Sequence, residues 1–198
     1  QVYVENDVGS SELFDRVVVA TPTTKLEDFL NLEQFADDIA LLKQFKFEEG
    51  ELVIHTDPVV MPARRKDWCV LSYMMERKFT RQQFSVWLNS IEPSLVGKSP
   101  VFQTWNPVTE IDPKKVISKV SLTRAVVDSN TLALHAELKK RHLAENRKVF
   151  FCGSWSCEGL PILESAVTSA MDVAQLFGAP IPFVGLKPKV EVAPELGY

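Results

Sequence analysis

The apolar positions of this chain change their period twice. Residues 14–21 (Phe-Asp-Arg-Val-Val-Val-Ala-Thr) form a β-branched run closed by Pro22, the pattern of a strand buried in a parallel sheet. Leu26, Phe29, Leu30, Phe35, Ile39 and Leu42 then recur at helical spacings. They predict one broken helix or two short ones over 25–44, with Thr23 and Thr24 placed to cap it. From there the period becomes two. Residues 52–56, 68–74, 84–91 and 101–105 read as strands, and 116–127 is a long extended candidate. Pro- and Gly-containing turns join these runs, which describes an antiparallel layer. The helical period then returns in Leu132, His135, Ala136, Leu138 and Leu143, behind Asp128 or Ser129 as cap. Residues 148–152 form a second buried strand, ended by Gly153. A loop over 154–161 leads to a helix over 162–177, closed by Gly178.

The order is therefore β, α, a β-rich block, then α, β, α. That predicts an α/β fold in which residues 1–44 and 128–178 form one layer and residues 45–127 form an inserted antiparallel sheet domain. The proline-rich stretch 179–198 should run in extended form over the surface. The opening, Gln1 to Glu5, alternates like the middle of a strand, which leads us to expect a further segment upstream.

Composition narrows the function classes. The chain is 45% apolar and 24% charged, ordinary for a globular domain that buries a core. A net charge of -4 without a basic stripe argues against a nucleic-acid partner. The densest basic run, Lys139-Lys140-Arg141, lies in a helical pattern and reads as a solvated face. No apolar run is long enough for a transmembrane segment, for which about 18 residues are needed. Cys69, Cys152 and Cys157 have no metal-binding spacing. They read as reduced thiols buried as small apolar side chains, in an intracellular or organellar compartment.

The stretch 149–178 carries the chemistry. A buried strand delivers the chain to Gly153, where the absent side chain permits close approach of a ligand or a phosphate. Pro161 suits the first turn of the helix that follows. The amides of Ile162, Leu163 and Glu164 are then unpaired at a positive helix end, a place for anions. Ala166, Ala170 and Ala174, with Val167 and Ser169 alongside, would let that helix pack closely on a sheet. An ordinary β-loop-α unit with nothing bound has the same features.

This strand–Gly–loop–helix resembles the C-terminal flavin-contacting motif of FAD-dependent amine oxidoreductases. Residues 14–25 resemble the strand that closes that family's dinucleotide domain. Residues 53–73 (Val-Ile-His-Thr-Asp-Pro through Trp-Cys-Val-Leu-Ser-Tyr), 84–92 and 101–116 resemble one subgroup. It contains stand-alone predicted NAD/FAD-binding oxidoreductases and the flavoprotein-like N-terminal region of plant cyclopropane fatty acid synthases. The resemblance implies a partial FAD-binding Rossmann-like layer carrying a substrate-type sheet domain. It places Ala20, Thr21 and Pro22 close to the FAD, and Gly153 and Ser154 near its pyrophosphate and ribityl chain. Backbone amides of Ile162, Leu163 and Glu164 would face the isoalloxazine, where they stabilise negative charge in the reduced flavin.

Two departures accompany it. No Gly-x-Gly-x-x-Gly and no ribose-binding acid occur in the chain. The family's tyrosine–glycine loop is replaced by Ser154-Trp155-Ser156-Cys157-Glu158-Gly159. The expected function is an FAD-dependent oxidoreductase whose Gly-rich half comes from a missing N-terminal segment or another protein chain. The alternative is an inactive accessory or structural subunit of a larger complex. No catalytic residue and no metal ligand is assigned, since the flavin does the redox work. His55 reads as a hydrogen-bonded structural residue. Trp68, Tyr73, Trp87 and Trp105 read as sheet packing, with one face able to line a pocket, and Arg64, Arg65 and Lys66 as a solvated turn.

Overall fold

A computed structural model describes residues 1–77 and 81–180. Of the expected tail, 181–198 lies outside the described residues. The chain divides into two compact units, residues 1–46 with 126 onward, and residues 47–125.

In the first unit a hairpin opens the chain. Strand β1 (Val2–Glu5) pairs antiparallel with β2 (Ser11–Phe14). Asn6 closes the turn, its side-chain oxygen accepting the amides of Val8 and Ser10. Phe14 therefore belongs to this exposed hairpin and not to the buried run predicted at 14–21. That run is shorter, β3 (Val17–Val19), and pairs parallel with β9 (Val149–Phe151), Val18 opposite Phe150. The two predicted buried strands share one sheet, as the sequence pattern requires. The segment after β3 forms a short 3-10 stretch over Thr23–Asp28 and then α1 (Ala36–Leu42). Neither Thr23 nor Thr24 caps a helix, because both lie inside the 3-10 turns. Leu26, Ile39 and Leu42 are buried as their spacing demands.

Helix α2 (Thr131–His142) follows a turn built on Asp128, whose carboxylate accepts the Asn130 amide at 2.9 Å and the Thr131 hydroxyl at 3.1 Å. Lys46 pairs with the same carboxylate at 2.7 Å. The Lys46 ammonium and the Asn130 N–H hold the Asp128 carboxyl down to about 2. Asp38 on α1 ties three segments together. Arg147 pairs with both its oxygens, at 3.1 and 2.9 Å, and Arg141 of α2 reaches it at 3.2 Å.

Helix α3 (Leu163–Leu176) ends at Gly178, which takes the positive φ of 72° that a helix-ending glycine allows. Its packing face differs from the predicted alanine stripe. Ser165, Ser169 and Val173 are buried, and Ala170 is exposed. The reason is polar. Ser169 accepts the Gly153 amide at 2.9 Å, and Ser165 donates to the Leu160 carbonyl, so the hydroxyl stripe turns inward.

The second unit is a five-stranded sheet ordered β5-β6-β7-β4-β8. Its strands are β4 (Lys46–His55), β5 (Leu71–Met75), β6 (Gln82–Trp87), β7 (Phe102–Trp105) and β8 (Val116–Val126). Register sets the two faces. One carries Ser85 and Gln83 of β6, Thr104 and Phe102 of β7, and Val53 and His55 of β4, all buried. Val60, Met61, Trp68 and Ile111 cover part of that face around Phe102. The other face carries Leu71, Tyr73 and Met75, all well exposed, beside Phe84 and Trp105. Trp105 lies across Gly50, where a β-carbon would come within 2.1 Å of the indole. Only glycine fits beneath that ring.

The buried face is unusually polar. His55 Nε2 lies 2.8 Å from Thr104 Oγ1, Thr104 lies 2.9 Å from Ser85 Oγ, and the Gln83 amide donates to Ser85 at 3.3 Å. Gln83 closes the chain by accepting the amides of Val108 and Thr109. Because His55 Nδ1 accepts the Asp57 amide at 3.1 Å, the ring proton sits on Nε2 and goes to Thr104. Burial lowers the His55 pKa, against the opposing pull of Asp57, and favours this neutral form. His55 is thus a buried, neutral residue hydrogen-bonded through both ring nitrogens. Thr104→Val should leave Nε2–H and Ser85 short of a partner. The expected cost is about 1–3 kcal/mol, read as a lowered urea midpoint with unchanged m-value.

Candidate functional site

In the first unit the loops after β3 and β9 leave the same end of the parallel pair, because parallel strands share a direction. Loop ends on that side are where α/β sheets hold ligands. Ala20, Thr21 and Pro22 are exposed there, and Gly153 and Ser154 are half-buried. The sequence-predicted residues of these two loops do meet, but another side chain joins them.

That side chain is Trp155. A single 3-10 turn over Ser154–Ser156 folds the indole back over Gly153. A β-carbon on residue 153 would lie 2.6 Å from Nε1 and 2.9 Å from Cδ1. Gly153 also has φ 152°, which disfavours any side chain. The indole N–H donates to the Thr21 carbonyl at 3.1 Å. The ring stands edge-on to Phe45 at 4.9 Å, and the Trp155 carbonyl accepts from His135 Nε2 at 2.8 Å. Trp155 is 5% exposed. The space beside Gly153, expected to admit a phosphate, is filled by the chain's own indole.

The start of α3 is arranged differently from the expectation too. Pro161 precedes the helix, and Ile162 is extended at its N-cap position. The Ile162 amide is already donated to the Leu160 carbonyl at 2.8 Å. Leu163 and Glu164 stand in the first turn, where no side chain caps the helix. Leu160, Ile162 and Leu163 form an exposed apolar collar there, Leu163 at 86%. Glu164 lies at the positive helix end and complements the dipole. No hydrogen bond among the described residues links this helix start to Ala20, Thr21 or Pro22. It is Trp155 that reaches Thr21.

Set against FAD, these residues do not make a fit as they stand. The pyrophosphate wall at Gly153 is occupied, one of the three amides is spent, and the Gly-rich turn is absent from the sequence.

The remaining candidates sort as follows. Cys152 is buried, and burial raises its thiol pKa. Cys157 is partly exposed and is also raised, by burial first and then by Asp172. Cys69 is exposed, contrary to the expectation of three buried thiols, and its thiol donates to the Leu71 carbonyl. No group of three His, Cys, Asp or Glu residues among those described is placed to hold a metal ion. No helix among them is long and apolar enough to cross a membrane. Arg65 is not a free solvated residue. Its guanidinium lies over Trp68 at 4.6 Å and Trp87 at 5.3 Å. Trp68 packs edge-on against Trp87 and Phe102, whereas Tyr73 is exposed on the opposite face of the sheet. The sequence did not single out Asp57. Burial pulls its carboxyl up, but the Asp112 amide, the Lys115 ammonium and the Val59 amide together hold it below the ordinary range.

Two cavities accompany these features. One of about 600 Å³ lies in the first unit, between α2, α3 and the loop after β9, with Leu138, His142, Phe151, Cys157 and Val173 in its walls. The second, about 530 Å³, lies in the second unit and is lined by Glu51, Val53, Val108, Ile111 and Lys119. Glu51 and Lys119 form an ion pair at its wall.

No protein-family model matches this chain. No curated protein matches it either. Among solved structures it is similar to the crystal structure of reduced UDP-galactopyranose mutase, at 11% identity and a TM-score of 0.52, over 89% of this chain and 44% of that one. The chain thus spans less than half the length of that neighbour. At this identity the likeness concerns the fold alone. It agrees with a mixed α/β architecture in which a parallel strand pair accompanies an antiparallel sheet region.

Proposed function

We propose that this chain is a flavoprotein-like fold that does not hold FAD by itself and serves as an accessory or structural subunit of a larger assembly. The carrying observation is Trp155, whose indole takes the space beside Gly153 and bonds Thr21. The same residue that departs from the resembled family's tyrosine–glycine loop closes the crevice. The likeness to reduced UDP-galactopyranose mutase supports the fold, and the reading that no cofactor is held rests on this chain's own residues.

A second reading has its own support. The uncapped first turn of α3, with the exposed collar of Leu160, Ile162 and Leu163, suits a covering segment. On this reading a preceding segment or another chain brings the Gly-rich half. The pair then forms an FAD-dependent oxidoreductase of the amine-oxidase type, in which the Leu163 and Glu164 amides face the flavin.

Flavin titration of the chain, first alone and then co-expressed with a preceding segment, separates the two. The 198-residue chain is purified and its absorption recorded with and without added FAD. The accessory reading expects no retained flavin. Losing two or three charge-assisted hydrogen bonds of about 1.5–3 kcal/mol each weakens binding by about 10²-fold or more. A stoichiometric yellow protein, with bands near about 370 and 450 nm, overturns the proposal. Flavin retained only after the preceding segment is co-expressed favours the second reading.

A further inference from the structure

We infer that residues 107–113 form a strap along one wall of the second unit's cavity of about 530 Å³, pinned at both ends by one buried chain of side chains, and that a proton taken up by His55 releases its Asp112 end. The inference goes beyond either functional reading, because it concerns a moving part of the second unit and not the crevice of the first.

The strap is held at two places. Near its start, the Gln83 side-chain oxygen accepts the Val108 amide at 2.9 Å and the Thr109 amide at 3.3 Å. Near its end, the Asp57 carboxylate accepts the Asp112 amide at 3.0 Å. Between these points Val108, Thr109 and Ile111 line the cavity, together with Val53 of β4 and Val116 of β8. Ile111 also packs on the cluster around Phe102. The two pins are the ends of a single hydrogen-bonded path across the buried face of the sheet. It runs from Gln83 to Ser85, from Ser85 to Thr104, from Thr104 to His55, and from His55 Nδ1 to the Asp57 amide. Gln83, Ser85, Thr104 and His55 are fully buried, and Asp57 is 6% exposed.

His55 is the link in this path that gains a charge in mild acid, since the Asp57 carboxyl is held below its ordinary range. The ring already gives its Nε2–H to Thr104, so a proton from solvent adds to the Nδ1 lone pair. That lone pair is the acceptor of the Asp57 amide at 3.1 Å, and two N–H groups then face each other. The Asp57 carboxylate is the anion drawn to the charged ring. Its Oδ1 carries two bonds, from the Val59 amide and Lys115, whereas Oδ2 carries the Asp112 amide alone. Oδ2 therefore has the fewer bonds to lose in turning to Nδ1–H, and the bond it loses is the strap's. The charged groups about the ring are Asp57 and, paired with it, Lys115, while β7 presents Thr104 and Phe102, which do not titrate. Burial lowers the His55 pKa from 6.5 against the pull of Asp57. The strap thus stays pinned at neutral pH and loosens as pH falls through the folded-state value.

Hydrogen exchange of the 198-residue chain from pH 7 to 4 tests this, read as protection factors so that the intrinsic pH dependence of exchange cancels. The Asp112 amide should lose about tenfold protection as pH falls, the size of one typical net hydrogen bond. Val108 and Thr109, held by the uncharged Gln83, should keep theirs, as should Phe84 and Thr104 within the sheet. The loss should follow the titration of the His55 ring, observed at its Cε1 proton by nuclear magnetic resonance. His55→Asn, whose side-chain oxygen can accept the Asp57 amide but takes up no proton, should hold Asp112 protection flat across the range. If His55→Asn does not fold, the match between ring titration and Asp112 exchange in wild type still decides the matter. The inference is overturned if the ring does not titrate above pH 4, or if Asp112 stays protected through its titration. It is overturned equally if Asp112 protection falls as much in His55→Asn, or falls together with that of Phe84 and Thr104.

Discussion

Alanine at position 38 should destabilise the first unit by about 3–5 kcal/mol, the usual loss when one member of a buried ion pair is removed. Asp38 has its side chain 9% exposed and holds Arg147 by two contacts and Arg141 by one. With the carboxylate gone, Arg147 is left with a side chain only 17% exposed and no counter-charge on α1. Arg141 keeps Glu137 at 3.2 Å and the Asp37 carbonyl at 2.7 Å, which places its share of the loss at the lower end. Asp38→Asn, which keeps an acceptor but not the charge, should cost less than half as much. Chemical denaturation followed by far-UV circular dichroism and tryptophan fluorescence reads the difference. An Asp38→Ala midpoint within error of wild type would show that the pair is not what joins α1 to α2 and β9.

Mild acid should weaken the same unit before its carboxylates titrate. His142 must be neutral to accept the Phe151 amide. Burial first, then the Arg147 charge, push its pKa from 6.5 to about 4, with Asp38 pulling the other way. An unfolded chain takes up this proton below about pH 6.5, and the folded one not until about pH 4. The contribution of neutral His142 is therefore complete above pH 6.5, is lost progressively as pH falls toward 4, and changes no further below that. A shift of this size corresponds to at most about 3.4 kcal/mol. Partial solvent access of His142 trims it toward about 2. Asp128, held down to about 2, loses its contribution only between its ordinary 3.8 and that value, so the two windows are separable. Denaturation midpoints from pH 7 to 4 should fall in wild type and much less in His142→Gln. His55, lowered by burial, shifts stability in the same direction and leaves a residual slope.

Period and breakers were enough to read the frame of this protein from sequence. The β-branched run at Val17–Val19 and the Phe-rich run at Val149–Phe151 pair in parallel. The period-two stretch between them became one five-stranded sheet. Those features follow from which residues avoid water, a property that each residue carries with it. Gly153 and Gly178 also marked their breaks correctly, because backbone freedom is local.

What sequence could not supply was the identity of partners across the fold. An alanine stripe at spacing four looked like the packing face of α3. The buried face is instead Ser165, Ser169 and Val173, because Ser169 is the residue that meets the Gly153 amide. Gly153 announced that something would approach it closely, but not that the visitor would be Trp155, two residues on. His142 ends a helix, where a proton is ordinarily welcome. Only the approach of β9 and Arg147 makes it a neutral acceptor. A hydrophobic period is written in single residues. A hydrogen bond between residues distant in sequence is fixed only when the tertiary structure brings donor and acceptor within about 3 Å, and that is where the candidate crevice of this chain was decided.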